Sequence, residues 1–68
     1  MNYKLEPIRL REARNLKKLT LREVSERTGL SRQHISNMES GINKVEASVF
    51  YTLAKIYNQD PSFFLATD

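Results

Sequence analysis

The chain has 68 residues, no cysteine, one histidine and a formal net charge of +3. That length makes one domain, residues 1–68, and buries only about 60% of the surface of the unfolded chain. The lack of cysteine excludes disulfides and thiolate metal sites, and one histidine makes no structural zinc site, so stability rests on helix packing helped by self-association.

Helical periodicity dominates and strand alternation is nowhere convincing, which predicts an all-α fold. The first helix is expected from Pro7 to Lys18, with Leu10, Ala13 and the stem of Lys17 on one stripe. Proline suits its first turn because the missing donor would be unpaired there. The second helix is expected over Leu21–Thr28, burying Val24 and Ser25. Thr20 with Glu23 three residues on makes a capping box. Gly29 falls where the chain needs positive φ to stop and turn. Ser31 can cap a third helix, Arg32 to Ser40, that buries Ile35 and Met38 and ends at a left-handed Gly41. After the loop Ile42–Val45, a fourth helix is expected over Ala47–Tyr57, with Glu46 or Ser48 near its start. Its core stripe is Phe50, Leu53, Ala54 and Tyr57, and Asn58 takes the left-handed position after it. Asp60 and Pro61 open a short fifth helix carrying Phe63, Phe64 and Leu65. No repeat, linker or low-complexity tract interrupts this order.

The charge is uneven. Residues 1–32 hold nine Lys/Arg against four Glu, a net +5, while residues 33–68 net −2. One half is built to face a polyanion. At 100° per residue, Ile35 and Met38 define the inner side of the third helix. Gln33, Ser36 and Asn37 then lie opposite, with Arg32 at the N-terminal edge. Arginine can place two donors on guanine O6 and N7, and Gln and Asn can pair with adenine N6 and N7. No carboxylate points that way to repel phosphate. Thr20 to Gly41 therefore reads as a helix-turn-helix that presents base-reading side chains to a DNA groove.

The chain resembles the Cro/repressor-like helix-turn-helix regulators, the XRE family, over about residues 7–65. The matching residues are Arg14, Leu19-Thr20, Glu23, Gly29-Leu30-Ser31, Ile35-Ser36, Met38-Glu39, Gly41 and the Phe50/Leu53-Ala54 helix. The resemblance implies a compact five-helix domain whose third helix enters the major groove, in a dimer on two half-sites about one helical turn apart. By position it implies base contacts from Arg32, Gln33, Ser36 and Asn37. It places Ser31 and the amide of Leu21 on phosphate, where helix N-termini favour anions. Ser40, Asn43 and Lys44 fall in the loop that tracks the backbone. His34, at the flank of the third helix, is open between a phosphate contact and solvent. Arg14 and Glu39 occupy positions that pair in this family. Glu39 lies only about 40° from Ile35 on the wheel, so it turns inward. The chain departs from the family at Leu21, where Gln is frequent, at Ser25 for Ala, at Ile42 for a polar residue and at Val45 for Pro. The hydroxyl of Ser25 is expected to bond a carbonyl one turn back.

Aromatic residues gather at the other end. Phe50 belongs to the core, while Tyr51, Phe63 and Phe64 form a surplus that a dimer interface would cover. The function expected is a dimeric, sequence-specific duplex-DNA-binding transcription regulator, a repressor or autoregulator on an inverted repeat. The alternative is a protein-interaction module on the same fold, with a toxin or another regulator as partner. An enzyme has no support: there is no cysteine nucleophile, phosphate-cradling glycine loop or paired metal ligand, and Ser31, Ser36 and His34 share an exposed helix that cannot exclude water. No cofactor or metal is expected. No apolar run nears the roughly 20 residues of a membrane span and no signal-peptide pattern is present, so a soluble, cytoplasmic protein is expected.

Overall fold

Four helices form, and most of them are bounded by the residues that the sequence marks. In the computed structural model, which describes residues 2–67, they are α1 (Pro7–Leu16), α2 (Leu21–Thr28), α3 (Arg32–Glu39) and α4 (Ala47–Tyr57). A single 3₁₀ turn follows at Pro61–Phe64, and two short strands lie at the ends, β1 (Tyr3–Leu5) and β2 (Leu65–Thr67).

The bounds follow from local chemistry. Thr20 and Glu23 make both bonds of the capping box at the start of α2, and Gly29 closes that helix at φ 78°. The Ser31 hydroxyl accepts from the His34 N–H at the start of α3. Past the end of α3, the Ile42 N–H donates to the Asn37 carbonyl at 2.8 Å and the Gly41 N–H to that of Met38 at 3.2 Å. This is a Schellman closure around a left-handed residue, Gly41 at φ 81°. Asn58, at φ 53°, closes α4 in the same way.

Three expectations are corrected. The first helix ends at Leu16 rather than Lys18, because Lys18 itself is left-handed at φ 55° and its closure draws the Leu19 N–H to the Arg14 carbonyl. The fifth helix is one 3₁₀ turn of four residues, so the described residues form four α-helices and not five. Asp60 does cap this turn, its carboxylate accepting from the Ser62 N–H at 2.9 Å. Leu65, placed in that helix by the sequence, begins a strand instead. The two ends of the chain emerge side by side and pair antiparallel, with Tyr3 opposite Thr67, Lys4 opposite Ala66 and Leu5 opposite Leu65. The fold is thus helical in the main, as an all-α domain is, with a terminal two-stranded ribbon added.

The core gathers Leu10 and Ala13 from α1, Leu19, Val24 from α2, Ile35 and Met38 from α3, Leu53, Ala54 and Tyr57 from α4, and Phe64. Phe50, expected inside, is only half-buried and meets Phe64 edge-on at 5.4 Å. Phe64 is fully buried and also packs against Phe63 at 5.3 Å. A ring wedged between two others cannot reach a partner, so Phe64 is withdrawn from the expected dimer surface.

Candidate nucleic-acid interface

The turn between α2 and α3 sets the angle of the outer helix. A Cβ on Gly29 would meet nothing within 4 Å, so its positive φ alone calls for glycine. Hydrogen bonds then close the turn. The Gly29 N–H donates to the Ser25 carbonyl, and the Ser25 hydroxyl reaches forward to the Leu30 carbonyl. That corrects the expected bond one turn back: the Leu30 carbonyl lies outside any helix ladder and needs a partner. Thr28 donates to the Val24 carbonyl at 2.8 Å and accepts from the Leu30 N–H at 3.2 Å.

A buried ion pair anchors the other end of α3. Arg14 Nε donates to Glu39 Oε2 at 2.7 Å and its Nη2 to Oε1 at 3.1 Å, while Nη1 donates to the Leu19 carbonyl. The Glu39 side chain is 2% exposed and that of Arg14 12%. The bond to Glu39 raises the arginine pKa further, against the opposing effect of burial. Such a fork fixes orientation more than it adds stability, because two charges had to be desolvated to make it. Arg11 adds a longer contact to the same carboxylate, 3.5 Å from Nε to Oε1.

With both ends held, the outward face of α3 is presented. Arg32 and Gln33 are exposed, and Ser36 and Asn37 are half-buried. Gln33 Nε2 donates to Asn37 Oδ1 at 2.8 Å. This bond orients both amides before any ligand arrives, leaving Gln33 Oε1 and one N–H and the Asn37 NH₂ group to face outward. The i,i+4 spacing was the signal for it, and sequence reasoning did not use it.

The helix N-termini differ as anion sites. At α3 the amides of Arg32 and Gln33 precede the one that Ser31 caps, and no acid sits in the first turn. At α2 the Leu21 and Arg22 amides are similarly placed, but Glu23 lies beside them. Its carboxyl is held below the usual range by the Thr20 N–H it accepts, so it stays charged. A phosphate at Leu21 therefore meets a nearby negative charge, and one at Ser31 does not. In the loop after α3, Ser40 and Lys44 are exposed and Asn43 is half-buried. His34 is half-buried, its Nδ1 3.5 Å from Asn43 Nδ2, which ties the helix flank to the loop.

The aromatic surplus splits into two faces. Tyr51 is 63% exposed beside a groove of about 490 Å³ lined by Ala47, Phe50, Ala54 and Pro61. The Lys55 ammonium stands 5.3 Å from its ring centroid. Phe63 is half-buried in a separate hollow with the exposed Leu16, under the Arg9 guanidinium. Among the described residues no cluster of His, Cys, Asp or Glu could hold a metal ion, and no helix is long and apolar enough to cross a membrane.

Two capped helices on a closed turn, the second showing an acid-free polar face, define a helix-turn-helix DNA-binding protein. The helix-turn-helix family model matches residues 10–64, and the chain belongs to this family, in its Cro/XRE-like form. The family is one of DNA-binding transcription regulators and is generally non-enzymatic. Comparison with curated proteins and with solved structures finds no match.

Proposed function

We propose that the protein is a dimeric, sequence-specific regulator, a repressor or autoregulator that seats α3 in the major groove of an inverted repeat. The observation that carries this reading is the outward face of α3. It holds Arg32, Gln33, Ser36 and Asn37, and its only carboxylate, Glu39, is turned inward and bound by Arg14. Arg32 reads guanine, and the linked Gln33–Asn37 pair reads adenine. Ser31, the Leu21 amide, Ser40, Asn43 and Lys44 hold phosphate, and His34 supports the loop beside them. Tyr51 and Phe63 supply candidate dimer surface.

Selection of bound duplexes from a random library at about 150 mM salt, near the physiological screening regime, tests this. An enriched inverted repeat supports it; enrichment of no sequence by a folded protein overturns it. A second reading, a protein-interaction module, is favoured by the exposed Tyr51 and its groove. Salt separates the two. Binding through several phosphates weakens by about 10³-fold or more between 50 and 200 mM salt, and an aromatic interface does not.

A further inference from the structure

We propose that the bond from Gln33 to Asn37 divides base reading between them: Gln33 takes adenine, and Asn37, reduced to a donor, takes a guanine within two base steps of it. The inference rests on the placement of α3 in the groove given above. It gives each amide its own base, and it makes the preference at one position depend on the residue that reads the other.

The first observation is how the two amides are spent. Gln33 Nε2 donates to Asn37 Oδ1 at 2.8 Å. A free carboxamide shows an acceptor and a donor side by side, the complement of adenine N6 and N7. Gln33 keeps that pair, because its oxygen and one N–H remain. Asn37 does not. Its oxygen is turned along the helix to Gln33, and the NH₂ group is what it has left for the groove. Two donors without an acceptor fit guanine, whose O6 and N7 both accept. They are repelled by adenine N6 and cytosine N4, which also donate, and they find one acceptor on thymine.

The second observation is that Asn37 is held in place. Its main-chain carbonyl accepts from the Ile42 N–H at 2.8 Å and from the Asn43 N–H at 3.2 Å, and its side chain is half-buried. Met38, the next residue, is buried in the core. Asn37 therefore stays where α3 meets the loop, and the exposed Gln33 reaches it from one turn back. Four residues rise about 6 Å along a helix, against about 3.4 Å for each base step along a strand, so the two amides meet bases no more than two steps apart.

The test is selection of bound duplexes by the whole chain and two variants, followed by affinities for the selected duplex with each base changed singly. The wild type should specify an adenine and, within two steps, a guanine, each preferred by about 5- to 150-fold. Gln33→Ala should lose the adenine preference and move the guanine position toward adenine, because the freed Asn37 oxygen restores an acceptor beside the donor. Alanine at this exposed helix position favours the same fold. Asn37→Asp keeps an acceptor for Gln33 and removes the donors, so the adenine should stay and the guanine should give way to cytosine, whose N4 donates. Loss of the adenine alone in Gln33→Ala, with the second position unmoved, overturns this inference and leaves α3 in the groove. A wild-type site with adenine at both positions overturns it likewise. A wild type that enriches no sequence, or a base preference that neither variant alters, overturns the placement of α3 as well.

Discussion

The Tyr57 hydroxyl is buried without a hydrogen-bond partner among the described residues, while its ring fills the core between α1 and α4. A buried unpaired hydroxyl costs about 1–3 kcal/mol, and replacement by an apolar group of the same shape recovers part of that. Tyr57→Phe should therefore raise stability by about 1 kcal/mol, read as a higher denaturant midpoint at constant m. A loss of that size would show that the hydroxyl has a partner in solution. The same residue sets an alkaline limit. Burial, reinforced by the Glu39 charge, pushes the phenol up to about 12 from its ordinary value of 10.0. The folded protein then keeps a proton that the unfolded chain releases. Stability is whole below pH 10, falls as pH rises from 10 to about 12, and loses about 3 kcal/mol over that span. The Phe variant should lack this part of the alkaline limb. The sequence placed Tyr57 on the core stripe correctly, but nothing in a linear pattern says whether a buried hydroxyl meets a partner. The Arg14–Glu39 pair was more legible: the family resemblance implied it, and the wheel turned Glu39 inward. The competing contact from Arg11, half-exposed at 3.5 Å, carries no such mark.

Helix ends were legible where the chain uses residues suited to them. Thr20, Gly29 and Ser31 mark the bounds of α2 and the start of α3, and Asn58 marks the end of α4. The end of α1 was misread because a lysine sits where the backbone wants glycine. Lys18 is left-handed at φ 55°, with its own N–H on the Asn15 carbonyl and that of Leu19 on Arg14. An L-residue pays roughly 1–2 kcal/mol in that region, only partly offset by the freedom a glycine gains when unfolded. Lys18→Gly should stabilise the domain by about 0.5–1 kcal/mol, a rise of roughly 2–8 °C in Tm for a chain of this size. A fall in Tm would mean that the lysine side chain does more there than the backbone loses. The ribbon was not legible at all. Three-residue strands are too short for alternation to register, and they form because the helices deliver both ends of the chain to one place.

At the scale of the whole molecule, the aromatic end of the chain turned out to be two surfaces, because Phe64 closes the core between them. Of Tyr51 and Phe63, Tyr51 is the more exposed and adjoins an apolar groove, so it is the better centre for the proposed two-fold interface. A self-complementary contact brings the same patch of each copy together, and a charge placed there is desolvated in both. Tyr51→Glu should leave the monomer fold intact, since the side chain is 63% exposed and touches only Lys55 among the described contacts. It should convert the dimer proposed above into monomer at micromolar concentration, measured by sedimentation. Affinity for the full inverted repeat should fall by about tenfold or more, while that for a single half-site stays the same, because linkage of two half-sites and not base contact is lost. If the dimer persists, the interface lies instead on the Leu16–Phe63 hollow beside α1. The axis would then pass on the other side of Phe64, and the spacing of the selected half-sites would have to fit that geometry.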